Sequence, residues 1–261
     1  VNADPTVTHA GATGTSSNTP THLGTYGGIV AGGGGDSNTK LLLNFDRGGG
    51  TDFEDSSNTG GDGSKFGAGY DAIIKASPFG DGKSAMLFDG SDDKLVIADH
   101  ADWDLPTTST IDFWVNFNNL SGSVEGLISK GGAGQTTDYD GWGIWYSSGA
   151  LKVRVRTDGT STDLSTGIAL TLNTWHHICW ARNGTTSRIY VNGTQFVSST
   201  TAGGLVATDT DSTNPLEIGK STDGHSGSFT SGYYDEIRIS HIDRTASGQD
   251  LAVTGSTFTV P

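Results

Sequence analysis

Residues 231–240 read "SGYYDEIRIS", a stretch in which polar and apolar side chains alternate as they do in a β-strand. Successive side chains of a strand point to opposite faces, so Asp235 is predicted to share a face with the two isoleucines. A carboxylate on that apolar face needs a cation or several backbone N–H donors to offset its desolvation. Glu236 is predicted to lie on the other face, in a weak surface ion pair with Arg238. The two adjacent acids therefore diverge.

Similar apolar runs recur at short intervals from "KLLLNFD" (40–46) onward, with turn residues between them. The chain has 40 glycines, only 17% charged residues and no long stretch of helical periodicity. Asn-Gly pairs at 183–184 and 192–193 predict tight hairpins, and hence a meander of three strands. The pattern predicts an all-β fold, a sandwich of two antiparallel sheets.

The chain divides into three parts by composition. Residues 1–35 are rich in Gly, Thr and Ser and contain few large apolar side chains, which predicts an extended N-terminal arm. Such an arm is expected to become ordered only through contacts with another chain. Residues 36–245 are predicted to form the folded domain, and residues 246–261 a C-terminal tail.

Charge and cysteine content exclude several classes of function. The 29 acids and 15 bases give a formal charge of −14, which repels nucleic acid and anionic membrane surfaces. No apolar run reaches the roughly 18 residues that a membrane-spanning helix needs. Cys179, the single cysteine, cannot form an intrachain disulfide and is predicted to be a small core residue. His176 and His177 are adjacent, face opposite ways in a strand and cannot chelate one zinc ion together.

Seven motifs in order resemble the laminin G-like, concanavalin A-like jelly-roll family over residues 38–245. They are "LLLNFD", "FEDSSN", "FGDGKSAMLFDGSDDKLVIAD", "STIDFWVNF", "NTWHHICWARNGTTSRIYVNGTQ", "PLEIGKS" and "GYYDEIRIS". The resemblance implies a two-sheet antiparallel jelly roll used mainly for binding glycans or proteins. It also implies that a calcium ion is often held at one rim of the sandwich.

Several motif sequences are similar to variants found in tailed-phage virion proteins. They are "DEIRIS", the "HIDRTA" that follows it, and the terminal "STFTVP". This resemblance implies a non-enzymatic virion surface protein that decorates a capsid or tail. Its 1–35 arm would dock onto other virion subunits, so the chain would be oligomeric or particle-bound. The alternative is an extracellular protein, a secreted or cell-surface lectin that binds a surface glycan.

The candidate metal ligands are Asp89, in "LFDGSDD", and Asp235. In the resembling family these two motifs lie near each other at the sheet edge, and hard carboxylate oxygens favour calcium. The alternative for Asp89 is that it caps the turn at Gly90 by accepting backbone N–H bonds.

Glycosidase chemistry is the enzymatic alternative, because the resembling family also includes β-glucanases with an "ExDxxE" or "ExDxE" strand. Hydrolysis needs two carboxyl groups about 5 to 9.5 Å apart across the sugar. None of the four glutamates, Glu54, Glu125, Glu217 and Glu236, has an acid partner at that spacing. We therefore expect no enzymatic activity.

The candidate aromatic platform for a glycan is "TTDYDGWGIWYSSG" (136–149). Alternation places Trp142, Ile144 and Tyr146 on one face and Trp145 on the other, which predicts a core hairpin. Tyr139, between Asp138 and Asp140, is predicted to be a loop tip.

Overall fold

The structure is a computed structural model. It describes residues 36–46, 48–49, 52–57, 65–69, 73–76, 84–120, 124–131, 140–157, 160–199, 213–220 and 229–251. The arm predicted at residues 1–35 and residues 252–261 of the predicted tail lie outside the described residues. Within the described residues no helix has the length and apolar character needed to cross a bilayer.

The described strands, numbered along the chain, pair antiparallel in two sheets. Sheet I contains β1 (Thr39–Leu43), β5 (Ile73–Ala76), β6 (Ser84–Asp89), β8 (Thr108–Asn119), β13 (Trp175–Asn183), β14 (Thr186–Val191), β15 (Thr194–Ser199) and β17 (Ser231–Ser240). Sheet II contains β2 (Gly48–Gly49), β3 (Asp52–Glu54), β4 (Lys65–Gly69), β7 (Lys94–Ile97), β9 (Val124–Gly131), β10 (Gly141–Ser147), β11 (Ala150–Thr157), β12 (Thr160–Ser165) and β16 (Leu216–Ile218).

Sheet I has the order β15-β14-β13-β8-β17-β6-β5, with β1 pairing with the second half of β17, and sheet II has the order β12-β11-β10-β9-β16-β7-β4-β3-β2. The one helical element in the described ranges is a 3₁₀ turn at Ala101–Trp103. The predicted all-β, two-sheet antiparallel sandwich is confirmed.

The hydrophobic core lies between the two sheets. Trp142 of β10 packs near Trp180 of β13, with ring centroids 6.3 Å apart, and Phe117 of β8 packs near Tyr146 of β10 at 6.2 Å. These pairs join the inner faces of sheets I and II, as expected where alternate residues of each strand point inward. Trp142, Ile144 and Tyr146 belong to this core, as predicted from their spacing.

The two Asn-Gly signals produce the predicted meander of β13, β14 and β15, but through different turns. Asn183 pairs with Thr186, so the first loop is Gly184–Thr185, with Gly184 at φ +55°. The second loop is Asn192–Gly193, and both residues have positive φ, as a type I′ turn requires. The two-residue loops fix the register of all three strands.

Strand β17 contains a bulge that changes which side chains face the core. Asp235 pairs with Trp114, but the next pair is Arg238 with Asp112, so two residues of β17 lie opposite one residue of β8 and one residue is extra. Glu236 has φ +51°, a conformation that L-residues rarely adopt. Tyr234 and Ile237, three residues apart, consequently both lie in the core. The prediction that Asp235 shares a face with the isoleucines is therefore wrong, because uninterrupted alternation does not hold across the bulge.

Candidate functional site

The outer face of sheet I, away from the core, carries the side chains with potential for binding. Strand register places them in rows that run across β13, β8 and β17. Residues that pair directly across neighbouring strands have Cβ atoms about 4.5–5.5 Å apart and share a face. The rows are thus defined by the backbone pairing of three long central strands.

The first row consists of Trp175, Asn116, Tyr233 and Leu87, on four adjacent strands, and is called here the aromatic row. With strands spaced about 4.8 Å apart, the row spans about 14 Å across the sheet. Trp175, Tyr233 and Leu87 are each partly exposed, as is Trp114 in the next row. Aromatic rings that keep part of their surface in contact with solvent suit the apolar face of a sugar ring.

Asn116 is the polar member of the aromatic row and lies at its centre. Its side chain is buried, with 7% of the residue exposed, and its Oδ1 atom has no hydrogen-bond partner. Leaving a buried acceptor unsatisfied costs about 1–3 kcal/mol. Neighbouring side chains cover this oxygen, so a ligand hydroxyl must displace one of them to donate to it and recover that free energy. The row therefore combines apolar rings with one unmet acceptor.

The third row of the outer face is an ion-pair network. Arg238 donates from Nε to Asp112 Oδ1 at 2.8 Å and from one terminal nitrogen to Asp112 Oδ2 at 3.2 Å. Its other terminal nitrogen donates to Asp250 at 2.6 Å. Burial alone would raise the pKa of the Asp112 carboxyl, but Arg238 and His177 outweigh it and hold that pKa below its usual range. Both members of the central pair are fully buried, so this row is structural.

A second arginine, Arg244, links the two ends of the described domain by hydrogen bonds. Arg244 donates to both carboxylate oxygens of Asp36 at 2.8 Å, to Thr39 at 2.9 Å and to Ser240 at 3.0 Å. Asp36 is the first described residue, and Arg244 follows β17. Arg238, within the "DEIRIS" motif, and Arg244, which follows it, therefore stabilise the fold.

Glu236 and Arg238 do not form the predicted surface ion pair. Both residues are buried, at 5% and 1% exposure, and Arg238 is directed to Asp112 and Asp250. Asp235 is fully buried and its Oδ1 accepts a hydrogen bond from the backbone N–H of Glu236, at 2.8 Å. The prediction failed because the segment 241–251, which supplies Asp250, returns over the outer face of the sheet.

The two predicted metal ligands are not brought together. Asp89 pairs with Ser231, whereas Asp235 lies four residues further along β17, which separates the two acids by about 13 Å or more. Asp89 lies instead beside Asp92 and Asp93, with one oxygen from each carboxylate within 4.8 Å of the others. Asp89 also accepts a bond from Ser91 N at 2.7 Å, as the turn-capping alternative predicted. Three carboxylates of this kind suit calcium chemically, without Asp235.

The cysteine and histidine predictions agree with the structure. Cys179 is fully buried, and burial raises the pKa of its thiol well above the usual range, which disfavours the reactive thiolate. His176 and His177 pair with Val115 and Trp114 and so lie on opposite faces of sheet I. His177 contacts Asp112 on the outer face, with Nε2 3.3 Å from Oδ2.

The described glutamate side chains do not form a facing pair. Glu125 and Glu217 lie on strands of sheet II, and Glu236 lies in the bulge of sheet I. Glu217 forms an ion pair with Lys94.

Trp145 is buried under Arg154, whose guanidinium lies 4.9 Å from the ring centroid. Tyr139, the predicted loop tip, lies outside the described residues.

The aromatic row was not identified from the sequence, although one signal was present. In "STIDFWVNF" (109–117), alternation places Trp114 and Asn116 together on one face and the apolar Phe113, Val115 and Phe117 on the other. The partners Trp175 and Tyr233 lie about 60 and 120 residues further along the chain, so only strand register could join them.

Comparison with known proteins identifies the fold. A family model described as the concanavalin A-like lectin/glucanases superfamily, Laminin_G_3, matches residues 89–248, more than half of the chain. A search of curated proteins found no match.

Three solved structures have similar folds at low sequence identity. Domain 4 of AbnA, a GH43 extracellular arabinanase from Geobacillus stearothermophilus in complex with arabinotriose, is 14% identical with a TM-score of 0.58, over 79% of this chain and 93% of that chain. The CBM40 of Ruminococcus gnavus IT-sialidase, bound to α2,3-sialyllactose, is 13% identical with a TM-score of 0.51, over 66% and 96%. The binding domain of botulinum neurotoxin serotype D is 12% identical with a TM-score of 0.58, over 79% and 49%.

Proposed function

Because the chain belongs to the concanavalin A-like lectin/glucanases superfamily, we propose that it is a non-enzymatic module that binds a glycan on the aromatic row of sheet I. The observation that carries the proposal is the buried Oδ1 of Asn116, which has no hydrogen-bond partner and lies between Trp175 and Tyr233. Sugars present both C–H faces for stacking and hydroxyl donors, which is the combination this row can satisfy.

Two further observations support glycan binding. Domain 4 of the arabinanase and the sialidase CBM40 were both solved with an oligosaccharide, although fold likeness by itself does not give function. The formal charge of −14 opposes binding of polyanions and leaves neutral glycans as the favoured class. The non-enzymatic part of the proposal is supported by the glutamates, because those described lie on different sheets or in ion pairs.

Isothermal titration with hits from a glycan array, each measured with and without chelator, tests this proposal. Trp175→Ala and Tyr233→Ala should each weaken binding by about tenfold or more, equivalent to about 1.4 kcal/mol. Leu172→Ala is the matched control, because Leu172 is an exposed apolar residue at 44% that lies outside the row. Unchanged affinity in both aromatic variants would contradict the assignment of the site.

Asn116→Ala provides a second test, in which stability and glycan affinity should change in different directions. Removing an unsatisfied buried acceptor should leave the free energy of unfolding equal or higher, while glycan affinity falls. A variant that lost affinity only because it was less stable would point to a packing role for Asn116 instead.

Where the module acts is a further part of the proposal. It rests on the similarity of "DEIRIS", "HIDRTA" and "STFTVP" to motifs of tailed-phage virion proteins. We place the module on a virion, bound to other virion subunits through residues 1–35, with a secreted or cell-surface lectin as the alternative. Deletion of residues 1–35 should abolish attachment to particles and leave glycan binding intact, because Asp36, which Arg244 fastens, is retained. Attachment of the deleted chain to particles would favour the lectin alternative.

A further inference from the structure

A cleft of about 310 Å³ lies at the other end of the outer face of sheet I. It is bounded by β13, β14, β15 and the turn at residues 243–246 and is lined by Asn183, Arg188, Tyr190, Gln195, Asp243 and Thr245. This volume lies at the lower end of the range of small-ligand sites, about 300–1,000 Å³, which fits one or two sugar units. The lining is mostly polar, with Ala246 and the ring of Tyr190 as its apolar parts, in contrast with the aromatic row.

Asp243 is a fixed acceptor in this cleft. Its Oδ1 receives hydrogen bonds from the backbone N–H and the hydroxyl of Thr245, at 2.9 and 2.6 Å, and its Oδ2 receives one from Asn183 at 3.2 Å. Three donors from two different parts of the chain hold the carboxylate in one orientation. A preorganised acceptor of this kind loses little entropy when a ligand binds.

Arg188 supplies the matching donors. Its guanidinium is 3.8 Å from Asp243 Oδ2, beyond hydrogen-bond distance, and 29% of its side chain is exposed. It makes no hydrogen bond to any residue in the described part of the chain, whereas the buried Arg238 and Arg244 are extensively bonded. A hydroxyl beside this ion pair, on its solvent side, could accept from Arg188 and donate to Asp243.

Phe196 is an exposed apolar residue that neighbours Gln195 in the chain, although it is not part of the cleft lining. It follows Gln195, which pairs with Tyr190, and it lies in a bulge of β15 where the register shifts. Phe196 is 44% exposed, and β15 is the edge strand of sheet I. A bulged edge strand commonly turns a side chain out of the sheet.

We propose that this cleft is a second carbohydrate site, which binds one or two units of a neutral sugar whose hydroxyls bond to Arg188 and Asp243, with Phe196 at the edge of the site. Neutral sugars are favoured because Asp243 and the negative charge of the whole chain both oppose an acidic one. Tyr190 pairs with Cys179, which is four residues, or about 13 Å, along β13 from Trp175 of the aromatic row. The inference therefore does not require the aromatic row to bind anything.

The test is a nuclear magnetic resonance titration of the full chain with arabinotriose, maltotriose, cellotriose and chitotriose, and with α2,3-sialyllactose as the acidic comparison. At least one neutral trisaccharide should shift the side-chain N–H signals of Arg188 and Gln195 in wild type. Arg188→Met and Phe196→Ala should each weaken that binding by about tenfold or more. Leu172→Ala should leave it unchanged.

Asn116→Ala separates this inference from the proposed function. If the cleft is a site of its own, the Arg188 and Gln195 signals still shift in Asn116→Ala, even when binding at the aromatic row is lost. The inference is overturned if no neutral trisaccharide moves these signals at millimolar concentration, if Arg188→Met and Phe196→Ala bind as wild type does, or if α2,3-sialyllactose alone binds.

Discussion

Asp112 is a buried carboxylate whose charge is balanced by Arg238. It lies at the centre of a long strand, is fully buried and accepts two hydrogen bonds from Arg238 while His177 lies beside it. A buried ion pair adds little net stability compared with apolar residues, but removing one partner leaves an uncompensated charge. The same geometry occurs at the surface, where Arg154 donates twice to the exposed Asp163. The two pairs therefore share one arginine–carboxylate geometry and differ in burial and in the further partners His177 and Asp250 of the buried pair.

Asp112→Asn is expected to lower the free energy of unfolding by about 3–5 kcal/mol, because Arg238 keeps its charge without a full counter-charge. Asp163→Asn, which breaks the matching exposed pair, is expected to cost less than about 1 kcal/mol. Urea denaturation of both variants measures the difference. Equal losses in the two variants would contradict the role assigned to burial.

Calcium binding stays a prediction, now at Asp89, Asp92 and Asp93 and without Asp235. Calcium at about 100 times its Kd would add about 2.7 kcal/mol to stability, so excess calcium should raise the Tm of metal-free protein and chelator should reverse it. Asp89→Asn should abolish the response and Asp235→Asn should keep it, because these residues lie about 13 Å or more apart. Identical melting curves with calcium and with chelator would leave Asp89 as a turn cap.

Among the strands, β17 joins the most parts of the sandwich. It pairs with β8 along one side, and on the other side with β6 through residues 231–234 and with β1 through residues 237–240. The bulge at Glu236 lies where the second partner changes from β6 to β1. It restores the inward orientation of Ile237 and Ile239 after Tyr234, so both halves of the strand contribute to one core.

Because Glu236 has φ +51°, side chains at this position should differ in stability according to their tolerance of that conformation. Glu236→Asn and Glu236→Val both remove the carboxylate, but asparagine tolerates positive φ and the β-branched valine does not. The valine variant should be less stable than the asparagine variant by about 1–2 kcal/mol. Calorimetry of the two variants measures this difference in stability. Equal stability would show that the backbone of the bulge relaxes to a different conformation.

Across the domain as a whole, buried ionisable groups link stability to pH. Burial lowers the pKa of His176 and of His241, so each folded histidine binds its proton less readily than the unfolded one. The unfolded state then binds more protons, and stability falls as pH falls from about 6.5 through the folded pKa of each histidine. Asp112, whose pKa is also lowered, adds a further loss below about pH 4.

The midpoint of urea unfolding should therefore decrease between pH 7.5 and pH 5, before any carboxylate with an ordinary pKa is protonated. His176→Gln should flatten this dependence, because the variant has no imidazole to protonate at that position. A midpoint that stays constant or rises toward pH 5 would contradict the lowered histidine pKa values.

The all-β class, the two-sheet sandwich, the meander at 175–199 and the family were all predictable from the amino-acid sequence. The class and the meander follow from local chemistry, because alternation and Asn-Gly turns act within about ten residues. The family follows from the order of seven motifs along residues 38–245. The sequence also predicted that Trp142, Tyr146 and Cys179 are buried.

Which side chains share a surface depends on long-range strand pairing and could not be predicted from local sequence. The bulge at Glu236 reversed the orientation of Asp235, the register separated Asp89 from Asp235, and segment 241–251 buried Arg238. The aromatic row likewise exists only because β13, β8 and β17 pair in one register, although their residues are far apart in sequence. The physical reason is that a one-residue shift in a strand moves every later side chain to the opposite face, and long-range pairing sets that shift.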